Sequence, residues 1–148
     1  MKRIALILVA LITLSVSYAQ EESVTYKVTN LEINETNYDD LALEGDEALV
    51  FYMCKKENFC FSNCWRNNDS QSYGGIYGLK ETEIAETDST YAAMVYIFTW
   101  KFNNTYDKET GEAAVTFTKI YIENTVKFIA EIVVLNTNEV LLMQGYQE

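Results

Sequence analysis

Three cysteines, Cys54, Cys60 and Cys64, fall within eleven residues at a C-x5-C-x3-C spacing, and they are the side chains here most able to do covalent chemistry. If Lys56-Glu57-Asn58 turns a tight hairpin, Cys54 and Cys60 come opposite each other. A cross-strand disulfide is then feasible, with Cys60–Cys64 as the alternative pairing. So short a loop stabilises by about 2 kcal/mol at most on the chain-entropy argument. The third cysteine is left free, buried or paired with another molecule. A three-thiolate zinc site lacks a fourth sulfur or an imidazole. Thiol redox catalysis uses Cys-x-x-Cys, and that spacing is absent.

Carboxylates are the second group with chemical potential. Asp39, Asp40, Glu44, Asp46 and Glu47 share one loop, and Glu81, Glu83, Glu86 and Asp88 lie in another stretch. Glu81 and Glu83 alternate on a strand pattern and face the same side, as a glycosidase acid and base would. The loop acids could ligate Ca²⁺ through oxygen, but neither loop has the Asp-x-Asp-x-Asp-Gly register. The ordinary reading is a solvated acidic face.

Missing residues narrow the chemistry further. The chain has no histidine, which removes Ser-His-Asp and Cys-His nucleophile sets and every histidine-containing metal site. There is no Gly-x-x-x-x-Gly-Lys loop and no Gly-x-Gly-x-x-Gly. A catalytic role, a resident metal and a cofactor are therefore not expected. Aromatics supply the candidate binding surface. Trp65, Tyr73 and Tyr77 sit beside Gly- and Asn-rich segments, where they could contact a sugar, peptide or protein or simply pack at a rim. Trp100 joins them from the apolar face of a long strand.

The elements that must carry these residues are β-strands. Tyr91–Phe102 is the clearest: Ala92, Met94, Tyr96, Phe98, Trp100 and Phe102 are all apolar or aromatic at period two. Its length, roughly 40 Å at about 3.3 Å per residue, suits a coiled sheet or barrel. Ala113–Ile122, Val126–Leu135 and Glu139–Tyr146 continue the meander. They are separated by Asp107–Gly111, where Gly111 is expected to supply positive φ, by Glu123-Asn124, and by Asn136-Thr137-Asn138.

Upstream, Val24, Tyr26 and Val28 alternate, and the apolar phase resumes at Leu31 and Ile33, which predicts a first strand bulged near Asn30. Thr36–Glu47 reads as an acidic loop with one helical turn, capped by Asn37 or Asp39 and ended by Gly45. Ala48–Cys54 is a buried strand and Phe59–Phe61 its return, while Ser62–Ser72 reads as the least structured part. Gly74, Gly75 and Gly78 mark bends, or a backbone passing close by, on the way into Leu79–Ile84.

Short links force antiparallel neighbours, and seven or eight such strands close as a barrel or split into a sandwich; up-and-down order favours the barrel. In strand count and order the chain resembles a small lipocalin-like barrel, although the Gly-x-Trp of lipocalins is absent from Glu21–Glu35. That resemblance implies an apolar ligand carried inside. The signal end, the Gly-Tyr segment and the C-terminal meander also resemble uncharacterised small secreted bacterial proteins.

The N-terminus directs the chain outside the cell. Met1-Lys2-Arg3 is basic, Ile4–Leu14 is apolar, and Ser17 and Ala19 are the small residues a signal peptidase reads. Cleavage after Ala19 predicts a secreted or periplasmic protein with one domain over 20–148 and no transmembrane segment in the mature chain. Removing nineteen residues from 148 leaves 129, and losing two bases moves the net charge from −11 to −13. So acidic a surface repels nucleic acid and anionic lipid. Asn34-Glu-Thr36, Asn68-Asp-Ser70 and Asn103-Asn-Thr105 would matter as glycosylation sites only in a eukaryote. The expectation is a monomeric, non-enzymatic binding module for a small apolar ligand or a partner protein. The alternative is a structural or envelope-associated protein with a filled core.

Overall fold

Period-two alternation is realised as a closed barrel. The computed structural model describes residues 23–54, 58–84 and 92–148, so the expected signal peptide, residues 55–57 and the expected acidic turn at 85–89 lie outside the described residues. The strands are β1 (Ser23–Ile33), β2 (Thr36–Asn37), β3 (Glu47–Cys54), β4 (Asn58–Trp65), β5 (Ser70–Ile84), β6 (Ala92–Asn104), β7 (Thr110–Ile122), β8 (Thr125–Val134) and β9 (Val140–Gln147). A short helix, α1 (Asp39–Glu44), precedes β3. The sheet runs β1-β3-β4-β5-β6-β7-β8-β9, and β9 pairs back onto β1, leaving two-residue β2 as an appendage of β1. Every pairing is antiparallel, as short links require. The barrel is thus observed, and the sandwich is not.

Register sets the interior. Facing residues share a side of the sheet, so Phe98 opposite Val115 and Tyr96 opposite Phe117 put the even positions of β6 and the odd positions of β7 inside. Phe61, Phe98, Trp100, Phe117 and Phe128 are all at most 3% exposed. Phe117 lies 4.9 Å from the Tyr26 ring and 5.0 Å from Phe51, and stacks on Phe128 at 5.3 Å. Each such aromatic pair adds about 0.5–1.5 kcal/mol beyond its area burial, so the barrel's waist is solid.

The bulge appears where expected, between Val28 and Asn30. Asp39 serves it: its carboxylate accepts the Leu31 N–H at 2.8 Å, and Asn37 Oδ1 accepts the Asp39 N–H. Hydrogen bonding to the carboxylate holds it below the usual range, from the Asn37 side chain most, then from the Leu31 N–H and the Asn30 amide. Gly45 ends α1 as predicted. The disulfide joins Cys54 to Cys60, and Cys64 is free.

Three local expectations are corrected. Ser62–Ser72 is ordered: β4 runs to Trp65, a 3-10 turn covers Arg66–Asn68, and β5 starts at Ser70. Polar Asn63 and Ser72 face each other on the inner side, which breaks the apolar alternation that a strand otherwise shows. Gly111 does not supply positive φ; Lys108 does, at φ 63°. Gly111 is instead a strand residue opposite Phe102, and a Cβ there would lie 2.5 Å from that ring. Tyr73 and Tyr77 belong to β5 rather than to a loop. The close backbone approach is found at Gly74, where a Cβ would meet the Lys101 carbonyl oxygen.

Candidate ligand-binding site

One end of the barrel is open. A cavity of about 380 Å³ lies where β6 meets β7 and β8 meets β9, within the usual range for small-molecule sites. Its apolar wall is Leu31, Trp100, Phe102, Ile132 and Leu141, and its polar rim includes Asn104, Tyr106, Glu109, Thr137 and Glu139. α1 contacts β1 and β3, and Ala42, fully buried, joins the core cluster, so the helix closes the side away from those loops.

The rim is held by backbone and side-chain bonds rather than by bulk. Thr105 N–H donates to the Gln71 carbonyl and its hydroxyl accepts the Gln71 N–H, clipping the β6–β7 loop to β5. Asn34 donates its N–H to the Val140 carbonyl and accepts the Val140 N–H on Oδ1, anchoring the β8–β9 loop to β1. Inside, Trp100 Nε1 donates to the Phe61 carbonyl at 3.0 Å, so its polar handle is satisfied and its ring serves as wall. Trp65 packs across Gly45, where a Cβ would lie 2.3 Å from the ring.

Glu47 is the unusual member. It lines the cavity, is fully buried, and among the described residues has no hydrogen-bond partner on either carboxylate oxygen. Asn63 Oδ1 is likewise buried and unpaired. Burial pushes the Glu47 carboxyl up to about 7; Asn63 eases this slightly without forming a bond of good geometry. The earlier grouping of Glu47 with solvated loop acids is therefore corrected. The chain turns at Asp46, with φ 50°, and Glu47 is the first inward residue of β3, ahead of Leu49, Phe51 and Met53. That four-residue alternation was the signal that could have found it.

The other end holds mixed chemistry. Lys119, only 5% exposed, faces inward opposite Met94, and burial lowers its ammonium to about 8. Its nitrogen lies 5.0 Å from the Tyr121 ring centre, and the ion pairs among the described residues do not include it. Glu81, inward opposite Tyr96, has both oxygens buried and unpaired, and burial, then Glu83, raises its pKa. Glu83 is exposed.

The four aromatic candidates divide. Trp65 and Trp100 both line the cavity, whereas Tyr73 and Tyr77 stand on the outer wall, 39% and 52% exposed. Tyr77 carries Lys101 over its ring at 5.0 Å. Glu47, Asn63, Phe102 and Tyr106 are added to the site by the fold alone. No group of three or more His, Cys, Asp or Glu side chains able to hold a metal occurs among the described residues. No helix there is long and apolar enough to cross a membrane. No family model, curated protein or solved structure matches this chain.

Proposed function

We propose that this is an exported, monomeric, non-enzymatic barrel, lipocalin-like in plan, that binds a small molecule with an apolar body at its open end. The observation that carries this reading is the 380 Å³ cavity with an apolar wall below a polar rim. The basic, apolar and small-residue layout of residues 1–19 supports export.

A filled structural barrel is the second reading, favoured by one observation. Phe98, Trp100, Phe117 and Phe128 all point inward and are buried, so no ligand passes the waist. Any ligand is therefore small and confined to one end.

Both tryptophans of the chain line the cavity, which makes intrinsic fluorescence a direct reporter. Native mass spectrometry of protein purified from its host, followed by titration with the neutral apolar probe N-phenyl-1-naphthylamine, tests the binding reading. A retained small-molecule mass, or saturable quenching of tryptophan emission, is expected. A clean apo mass with unchanged emission favours the filled structural barrel.

A further inference from the structure

The chemistry of the cavity narrows the ligand class, on the reading that the open end binds a small molecule. We propose that the ligand is a small organic amine whose ammonium group pairs with Glu47 while its apolar body lies against Trp65, Trp100 and Phe102. Four observations converge on it.

The first is an unpaired carboxylate. A buried charge without partners is costly enough that folded proteins rarely leave one, and Glu47 leaves two oxygens unpaired. The second is stoichiometric. Glu47 Oε1, Glu47 Oε2 and Asn63 Oδ1 are three buried acceptors without a well-formed hydrogen bond among the described residues, and a primary ammonium carries three N–H donors.

The third is sign. The side chains lining the cavity include three acids, Glu47, Glu109 and Glu139, and no lysine or arginine. These charges repel an anionic ligand, whereas a cation is drawn toward the mouth. The fourth is the wall itself, because indole faces attract a desolvated ammonium more strongly than other aromatic rings do.

Glu47 is closed to water in this structure, so binding includes a side-chain shift at Trp65, its cross-strand neighbour. Proton movement is coupled to that step. Where Glu47 is protonated, pairing with the ammonium releases its proton to solvent, one per amine bound. The other ionisable groups around it are Asp46 and Cys64 beside it, Lys27 and Arg66, both paired with Asp46, and Glu109 and Glu139 on the rim. None of these supplies Glu47 with a cation.

Isothermal titration with three probes of one shape tests the proposal: 2-phenylethylamine, 2-phenylethanol and phenylacetate. The amine is expected to bind about tenfold or more tightly than the alcohol at pH 8, with the anion weakest. Its affinity should rise toward pH 7 and then level. Heats measured near pH 6 in buffers of different ionisation enthalpy should report one released proton. E47Q should remove the preference for amine over alcohol and leave alcohol binding in place, which also shows that the variant is folded. Equal binding of amine and alcohol by the natural chain overturns the amine assignment and leaves the pocket reading standing. Failure of all three probes to bind or to change tryptophan emission overturns both.

Discussion

The barrel's two ends both bury ionisable groups, a carboxylate at one and an ammonium with a carboxylate at the other. Among the described residues, Glu47 at the open end is buried outside any ion pair, and at the other end Lys119 is buried outside any ion pair although the Glu81 carboxylate is buried at that end too. Between them the waist is closed by Phe61, Phe98, Phe117 and Phe128, so neither charge can reach the other. A core built for stability alone would place apolar residues at both positions, since an unpaired buried ion destabilises. The lesson of the pair is that the interior is not uniform. Its middle is packing, and its ends hold polar groups whose cost has opposite pH dependence.

The largest expected effect lies in the middle, where neither end contributes. Phe117→Ala removes a ring in contact with Tyr26, Phe51 and Phe128, and should cost about 3–5 kcal/mol in denaturant unfolding. A loss under about 1 kcal/mol would mean that the waist is not the stabilising region.

Next comes Glu47. Its folded pKa, about 7, lies above its unfolded value of 4.5, so folding takes up a proton. The favourable contribution is complete below pH 4.5 and is lost as pH rises through 7. Glu47→Gln should match the natural chain near pH 4.5 and exceed it by up to about 3 kcal/mol at pH 8. Parallel stability curves across that window would show that the carboxyl is not desolvated in solution.

The contrast sharpens with Lys119→Met. Here the folded pKa, about 8, is below the ordinary 10.5, so the folded state binds fewer protons than the unfolded one. The cost is complete below pH 8 and fades toward 10.5. The variant should gain about 1–2 kcal/mol at pH 7, discounted for screening near a barrel end, and lose that advantage by pH 10.5. A gain that grows with pH would have the wrong sign and would remove the symmetry between the ends.

The smallest effect belongs to the outer wall. Arg66 bridges Asp46 and Glu148, with both guanidinium arms on Glu148 at 2.8 Å. The Arg66 and Lys27 bonds hold the Asp46 carboxyl down at about 2. Arg66→Ala should lower Tm by roughly 2 °C in low salt and less in high salt. Because these carboxyl pKa values are depressed, the network's contribution is present above about pH 4 and is lost as pH falls toward 2. A salt-independent change would point to lost packing instead.

What the sequence made legible follows the same division. The meander from β6 to β9 was readable because Met94 through Phe102 and Val115 through Phe117 line a packed waist, where inward means apolar. The disulfide was readable from spacing once a hairpin was inferred. At the open end the rule fails. Asn63, Ser72 and Glu47 point inward while being polar, so the end of β4 and the start of β5 looked like loop and Glu47 looked solvated. Period two still held for Glu47, Leu49, Phe51 and Met53, but a residue-type rule overruled the phase. Gly111 misled for a related reason: glycine is read as a turn, and here it makes room for an aromatic ring.

The pairing of β9 with β1 has a kinetic consequence. Leu31 is matched to Met143 and Tyr26 to Gln147, partners more than a hundred positions apart along the chain. Loop-closure entropy must be met before that seam returns any contact, which places the chain among slow, high-contact-order folders. Until the seam zips, β1 and β9 are both unpaired edges, and edge-to-edge association between chains competes with closure. Refolding should therefore be slower than that of helical proteins of equal size, and its yield should fall as protein concentration rises.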